Sequence, residues 1–214
     1  MDGKTMKFVQ LSVQDFVARL AARTAVPGGG CAGALCGALG AGLSRMVASL
    51  TVDKDDSTTG PAEMKHVEEE ARTLADHFLD LVDRDGAAYR KVIAAARLPR
   101  NTEKEKHARH AAIQGALKAA AGVPLETLRA AEKLLSLAKT AIELGNPKAV
   151  TDAGAALHLA RGAASVALAN VRINLLSIED EAFVAECRRE LSEVTKRFDL
   201  LFQEGERRLE LRLV

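Results

Sequence analysis

Between Thr24 and Ser44 the chain carries no charged residue, and seven of its 16 glycines fall within that stretch. A segment this apolar must be buried in protein or in lipid, and its length approaches that of a membrane span. Pro27 and Gly28-Gly29-Gly30 stand near its start and would break a spanning helix, so it reads as the buried helix of a soluble domain. From Cys31 to Leu50 that helix is apolar nearly all round. Gly33, Gly37 and Ala41 recur every fourth residue, so one face is almost bare backbone and another helix can approach closely. Composition agrees with this picture. Hydrophobic residues make up 48% of the chain but aromatics only 3%, with no Trp. Sandwiches and barrels draw on aromatic and β-branched residues, whereas Ala is the best helix former.

The rest of the sequence is punctuated as helices. Ser12 and Asp15 form a capping signal before Val13, Phe16, Val17 and Leu20, a helix ending near Thr24. Thr51 to Gly60 is polar and reads as a loop. Pro61 sits where a helix can begin. From there Met64, Val67, Ala71, Leu74, Phe78 and Leu81 step by three and four, and the stripe resumes at Ala88, Val92 and Ala95. This long helix ends near Leu98-Pro99. Thr102 and Glu105 form another capping box, opening a helix toward Gly122. Pro124 predicts a break or kink, with a further helix continuing to Leu144. Gly145-Asn146-Pro147 is a stop, Asp152 is a candidate cap for the next helix, and a last helix runs from about Glu181. No segment alternates with period two and no long repeat occurs. The expectation is one all-α domain over residues 1–214, a bundle of about six to eight helices.

Several function classes are disfavoured at once. With 30 Lys and Arg against 29 Asp and Glu, the net charge is +1, which is no nucleic-acid footprint. Cys31, Cys36 and Cys187 are odd in number and widely spread, as expected of reduced thiols in the cytoplasm. The first dozen residues lack the pattern of a secretory signal, and no membrane partner is expected. His107 and His110 lie among Lys104, Lys106 and Arg109, which disfavours a bound cation, so no metal is expected.

Asp85 is the residue that periodicity singles out. The stripe through Leu81 places the next inward position at 85, and a carboxylate on an apolar face is costly unless it is paired or faces a cavity. Burial would raise its pKa toward the range useful for proton transfer, while a structural ion pair is the plainer alternative. Asp83 is off the stripe and reads as solvated. Gly28, Gly30 and Gly33 match a dinucleotide fingerprint only formally, because they follow a helix and not a strand. A glycine loop opening a helix still presents free backbone N–H groups to an acceptor, or is simply a tight turn. Asn170 and Asn174 share a helix face with Ala163 and Ala167. Their amides suit either a heterocycle's edge or a neighbouring helix. Arg97, Arg100, Lys104, Lys106 and Arg109 make a solvated basic face or the seat of an anionic tail.

Taken together, these motifs resemble a known family. Ala22-Arg23-Thr24-Ala25-Val26-Pro27-Gly28-Gly29-Gly30 is followed by a small-residue helix ending Met46-Val47-Ala48-Ser49-Leu50-Thr51. Then come Asp85-Gly86-Ala87-Ala88-Tyr89, Leu98-Pro99-Arg100-Asn101-Thr102, Val123-Pro124-Leu125, Gly145-Asn146, Thr151-Asp152-Ala153-Gly154 and Asn170-Val171-Arg172-Ile173-Asn174. Their order over roughly residues 12–185 resembles the cyclodeaminase/cyclohydrolase family.

The resemblance implies an all-helical subunit that forms a homodimer and binds a tetrahydrofolate derivative in a cleft lined by these motifs. It implies chemistry on the bridge between N5 and N10, by water opening 5,10-methenyltetrahydrofolate or by 5-formiminotetrahydrofolate closing with loss of ammonia. Neither reaction calls for a metal or redox cofactor. Asp85 corresponds to the family's acid and is expected to be the general acid/base. Gly28, Gly29 and Gly30 are expected to give backbone contacts, and Asp152, Asn170 and Asn174 to orient the pterin or the bridge. Arg100 and Lys54 are the candidate cations for the glutamyl tail. One residue and one short segment depart from the family's pattern. Cys31 replaces the usual Ser or small residue after the glycines, and Thr51-Val52-Asp53-Lys54-Asp55-Asp56 replaces a basic, aromatic run. A non-catalytic helical dimer that binds a folate-like ligand is the alternative reading.

Overall fold

A computed structural model describes residues 7–52 and 61–214. They form six α-helices, α1 (Val13–Leu20), α2 (Gly29–Val52), α3 (Pro61–Ala96), α4 (Glu103–Leu144), α5 (Val150–Leu175) and α6 (Glu181–Leu213), with 3-10 turns at Phe8–Gln10 and Pro147–Ala149. The all-α expectation holds for the described residues. α2 takes in Thr51 and Val52, where the expected loop would begin, and residues 53–60, with Lys54 and the acidic run, lie outside the described residues.

The glycine-rich α2 is the central helix, packed against α3, α4 and α5. Its glycines are where those neighbours come close. A methyl group on Gly33 would lie 2.7 Å from Val166 of α5, one on Gly37 would lie 2.5 Å from Cδ1 of Phe78 in α3, and one on Gly40 would lie 3.0 Å from Leu134 of α4. Spacings of four and three keep these glycines within about 60° of one another around α2, so a single small-residue face takes side chains from three neighbouring helices. By length and apolarity α2 could cross a membrane, but Cys31, Ala34, Ala41, Val47 and Ala48 are buried among the other helices.

The stripe of α3 is inward as the spacing predicts, with Met64, Val67, Ala71, Leu74, Phe78, Leu81, Ala88 and Ala95 all buried. The α3–α4 hairpin is set by the Thr102–Glu105 capping box, in which each residue caps the other.

Four sequence expectations are corrected. α1 stops at Leu20, and of its predicted stripe only Phe16 is buried, while Val13 and Val17 are exposed. Pro124 does not break α4, which continues through it to Leu144. Asp152 is not the cap of α5: the helix opens two residues earlier at Val150, Ala149 at its N-cap makes no side-chain bond, and Asp152 sits in the first turn. There its charge still complements the helix dipole. Asp83 is not simply solvated, since its Oδ1 accepts the Phe8 N–H at 2.6 Å and ties the N-terminal turn to α3.

Pro124 is accommodated from outside the helix. Proline has no N–H for the carbonyl of Ala120, four residues back. Asn174 of α5 donates its Nδ2 to that oxygen at 3.0 Å. The proline gap thus becomes a cross-link between α4 and α5.

α6 runs parallel to α4, buries Cys187, Leu191, Val194, Phe198 and Phe202 in the same core, and is also joined to α4 by a row of ion pairs. Lys118–Asp180, Arg129–Glu190, Glu132–Arg197, Lys139–Glu204 and Glu143–Arg208 advance together along both helices.

Candidate active site

Three sequence-predicted elements meet at the N-terminal end of α2. The segment through the Val26–Pro27 cis peptide delivers Gly28-Gly29-Gly30 into the first turn of that helix. α3 runs antiparallel to α2 and brings Asp85 across from it. The carboxyl rests directly on Gly30: a methyl group there would lie 2.5 Å from the carboxyl carbon and 2.6 Å from Oδ2. Glycine is therefore needed at position 30 for space.

The first N–H groups of a helix have no partner within it. In α2 the Ala32 N–H already donates to the Gly28 carbonyl at 3.1 Å. The Cys31 N–H is directed to Asp85. The Gly29 and Gly30 N–H groups remain, and Gly29 is exposed. The helix start thus presents backbone donors beside a carboxyl group.

Burial holds the Asp85 carboxyl above the ordinary carboxylate range, opposed by hydrogen bonds from the Cys31 thiol and the Cys31 backbone. The thiol lies 3.3 Å from Asp85 Oδ2. Burial and the adjacent carboxylate push the Cys31 thiol up to about 12. It is thus a protonated donor and not a thiolate. Asp85 itself is only half-buried, with exposed Tyr89 one turn further along α3. A proton-transfer group of raised pKa with access to solvent is what general acid/base chemistry needs.

Asn170 reaches the same place from α5, its Nδ2 4.0 Å from where a Gly29 methyl would be. That Nδ2 also donates to the Val166 carbonyl at 2.8 Å, which orients the amide. Asn174 lies one turn further on. One Nδ2 hydrogen is committed to Ala120, so its amide oxygen and second N–H are the groups left for a ligand.

The other expected residues do not join this cluster within one chain. Asp152 and Asn170 occupy opposite ends of α5, about 27 Å apart along its axis. Arg100 is exposed beyond the end of α3, with about 16 Å of helix between Asp85 and that end. It lines a shallow surface cleft with Glu103, Lys106, His107, Arg109 and His110. His110 there faces Glu179 at 2.9 Å, and no group of three or more His, Cys, Asp or Glu able to hold a metal occurs among the described residues. A cleft of about 470 Å³ between α5 and α6, lined by Arg172, Arg188, Lys196 and Asp199, includes neither Asp85 nor the glycine loop.

Sequence reasoning missed the pairing of Cys31 with Asp85. The signals were present separately: a thiol just after the glycines, and an acid on an inward stripe. Their separation by 54 residues hid the contact.

A small-residue helix opened by a glycine loop, with a half-buried carboxyl seated on its first turn, defines a helical-bundle protein equipped for proton transfer. Residues 12–193 match the model of the formiminotransferase-cyclodeaminase family, and the chain belongs to that family, in which cyclodeaminases and cyclohydrolases are grouped. It is 37% identical over 180 residues to the methenyltetrahydrofolate cyclohydrolase of Methylorubrum extorquens, covering 84% of this chain and 86% of that protein. It is 29% identical over 190 residues to the formimidoyltransferase-cyclodeaminase of Rattus norvegicus, covering 89% of this chain and 35% of that longer protein. The solved structure of formiminotetrahydrofolate cyclodeaminase from Thermotoga maritima superposes with a TM-score of 0.86 at 30% identity, over 96% of this chain and 98% of that one.

Proposed function

We propose that this protein is a tetrahydrofolate one-carbon enzyme acting on the N5–N10 bridge, and that its reaction is the hydrolysis of 5,10-methenyltetrahydrofolate. The observation that carries this reading is the Asp85 carboxyl seated on Gly30 beside free helix N–H groups. The 37% identity to a cyclohydrolase, matched along most of both chains, supports this reaction over ring closure.

In the hydrolysis, water adds to the bridge carbon and gives a tetrahedral intermediate. Asp85 as carboxylate takes the proton from the attacking water. The same group returns it to N5 as the bond from carbon to N5 breaks, leaving the formyl group on N10 and one proton released to solvent. Ring closure of the formimino compound places the same demand on Asp85, which then protonates departing ammonia. Gly28, Gly29 and Gly30 supply backbone contacts to the ligand, and Asn170 and Asn174 orient it with their amides. Lys54 and Arg100 are proposed for the anionic tail, and Asp152 for a contact that a second subunit would have to bring near. Neither reaction requires a metal or a redox cofactor, since both are proton transfers around a tetrahedral carbon.

The protein is proposed to work in the cytoplasm as a homodimer. The three cysteines are free thiols, as a reducing compartment would keep them. Leu39, Met46 and Leu50 form an exposed apolar row on the side of α2 that no described helix covers. A second copy of the chain would bury it.

The test is a spectrophotometric assay of methenyltetrahydrofolate loss, repeated with formiminotetrahydrofolate. The parent should consume the methenyl compound faster. Asp85→Asn should lose at least about 100-fold in kcat, the scale of general acid/base catalysis, while still binding folate. Full turnover by Asp85→Asn would remove Asp85 from the mechanism. Folded protein inactive on both compounds but binding folate would make it a binding module instead.

A further inference from the structure

The Cys31 side chain has no part in the chemistry above, yet among the described residues it makes the side-chain hydrogen bond to the reacting carboxyl. We propose that Cys31 is a positioning residue for Asp85: its thiol donates to one carboxyl oxygen and holds the group against Gly30, leaving the other oxygen for the proton transfers. This inference rests on the assignment of Asp85 as general acid/base.

The geometry sets the thiol's role. Cys31 Sγ is 3.3 Å from Oδ2 of Asp85, within range for a donor that contains sulfur. Cys31 is fully buried in the first turn of α2. Its high pKa keeps the proton on sulfur, so the group neither attacks substrate nor competes as a base. The thiol therefore holds the carboxyl by one of its two oxygens. A rotatable carboxyl on a half-exposed helix face would otherwise sample several orientations, at the cost of its catalytic alignment.

Few other charges act on the pair. From α3, Arg84 turns to Glu126 of α4 at 2.6 Å and Asp83 turns to the Phe8 N–H. Arg90 lies over the Phe8 ring. Tyr89 is exposed, and α5 presents the neutral Asn170. Burial and Cys31 are the influences on the Asp85 carboxyl among the described residues. The strength of the donor at position 31 should therefore tune Asp85 directly.

The sign follows from the donor. A hydrogen bond to the carboxylate stabilises its charged form and lowers its pKa. Alanine removes the donor and should raise the Asp85 midpoint. Serine is a stronger donor and should lower it.

The experiment is a carbon NMR titration of Asp side-chain carboxyls in substrate-free protein, with the Asp85 signal assigned by its absence in Asp85→Asn. Parent, Cys31→Ser and Cys31→Ala are compared, and pH profiles of kcat/KM for methenyltetrahydrofolate follow. Midpoints rising in the order Ser, Cys, Ala, with Ala about one pH unit above the parent, are expected. The acid limb of kcat/KM should move with them, and kcat in the alanine variant should fall about tenfold at unchanged KM. An Asp85 midpoint that is the same in all three proteins overturns the proposal, whatever happens to activity. Cys31→Ser nearly preserves side-chain volume, so the comparison with the parent stands if the alanine variant does not fold. Ordered midpoints in a protein inactive on folates would support the Cys31–Asp85 coupling and defeat the enzymatic reading instead.

Discussion

Asp85 occupies a position that folding alone would give to an apolar residue. The stripe from Met64 to Ala95 is otherwise apolar and, apart from the partly buried Val92, buried, and its one carboxyl lies where burial works against ionisation. A carboxyl whose folded pKa is raised holds its proton more tightly in the folded than in the unfolded chain. Its contribution to stability is complete below the ordinary carboxylate range and is lost as pH rises through the folded value. Asparagine cannot ionise and its carbonyl can still accept from Cys31. Asp85→Asn should therefore melt about 2–4 °C above the parent near neutral pH, the shift expected for roughly 1 kcal/mol in a chain of this size. The gap should close as pH falls below the carboxylate range. Thermal melts across pH check this, and a variant less stable at neutral pH would show that the charge is compensated in the folded protein. Periodicity alone finds Asp85 because a stripe is a one-dimensional property. The Cys31 contact is a meeting of two helices and has no one-dimensional signature.

At the scale of elements, α4 shows how a local rule is overridden. Pro124 reads as a break because it removes a donor and crowds the preceding turn. The helix survives because Leu128, Leu134, Leu135 and Ile142 beyond the proline are buried and because Asn174 satisfies the freed Ala120 carbonyl. Asn174→Ala should cost about 1–3 kcal/mol, the penalty for leaving a largely buried acceptor unpaired. Pro124→Ala restores a backbone donor to Ala120. In that background the same Asn174→Ala change should cost less by about 1 kcal/mol or more, read as a coupling energy in denaturant melts of the double-mutant cycle. Additive costs would mean that Asn174 acts elsewhere. The ion pairs between α4 and α6 are a weaker tie, since exposed pairs contribute about 0–1 kcal/mol each. Replacing Arg129 and Glu190 singly and together should give a coupling energy below about 1 kcal/mol that shrinks further in added salt.

At the scale of the whole molecule, one end of α2 gathers the candidate site while the opposite end of α5 keeps Asp152 apart. The exposed row Leu39, Met46 and Leu50 lies between buried faces of the central helix, with Leu39 55% exposed. Light scattering should find the parent at twice the chain mass. Leu39→Asp combined with Met46→Asp should shift it to the chain mass with helicity retained by circular dichroism; a double variant of unchanged mass would place the subunit contact on another face. Much of the architecture was legible beforehand, because helical periodicity, caps and glycine stops are local properties of the chain. The stripe of α3, the Thr102–Glu105 box and the buried glycine helix are read from spacing and composition, and Asp85 is found the same way. The end of α1, the continuity of α4 and the true start of α5 were not legible, since tertiary contacts outweigh propensities of a few tenths of a kcal/mol to about 1 kcal/mol per residue. The same holds for the site. Sequence supplied its glycines, its acid and its asparagines as separate candidates. Only the packing of α3 and α5 against α2 placed Asp85 on Gly30 and beside Cys31, brought Asn170 near and left Asp152 distant, because proximity between residues far apart in the chain is set by how helices pack and not by their spacing in sequence.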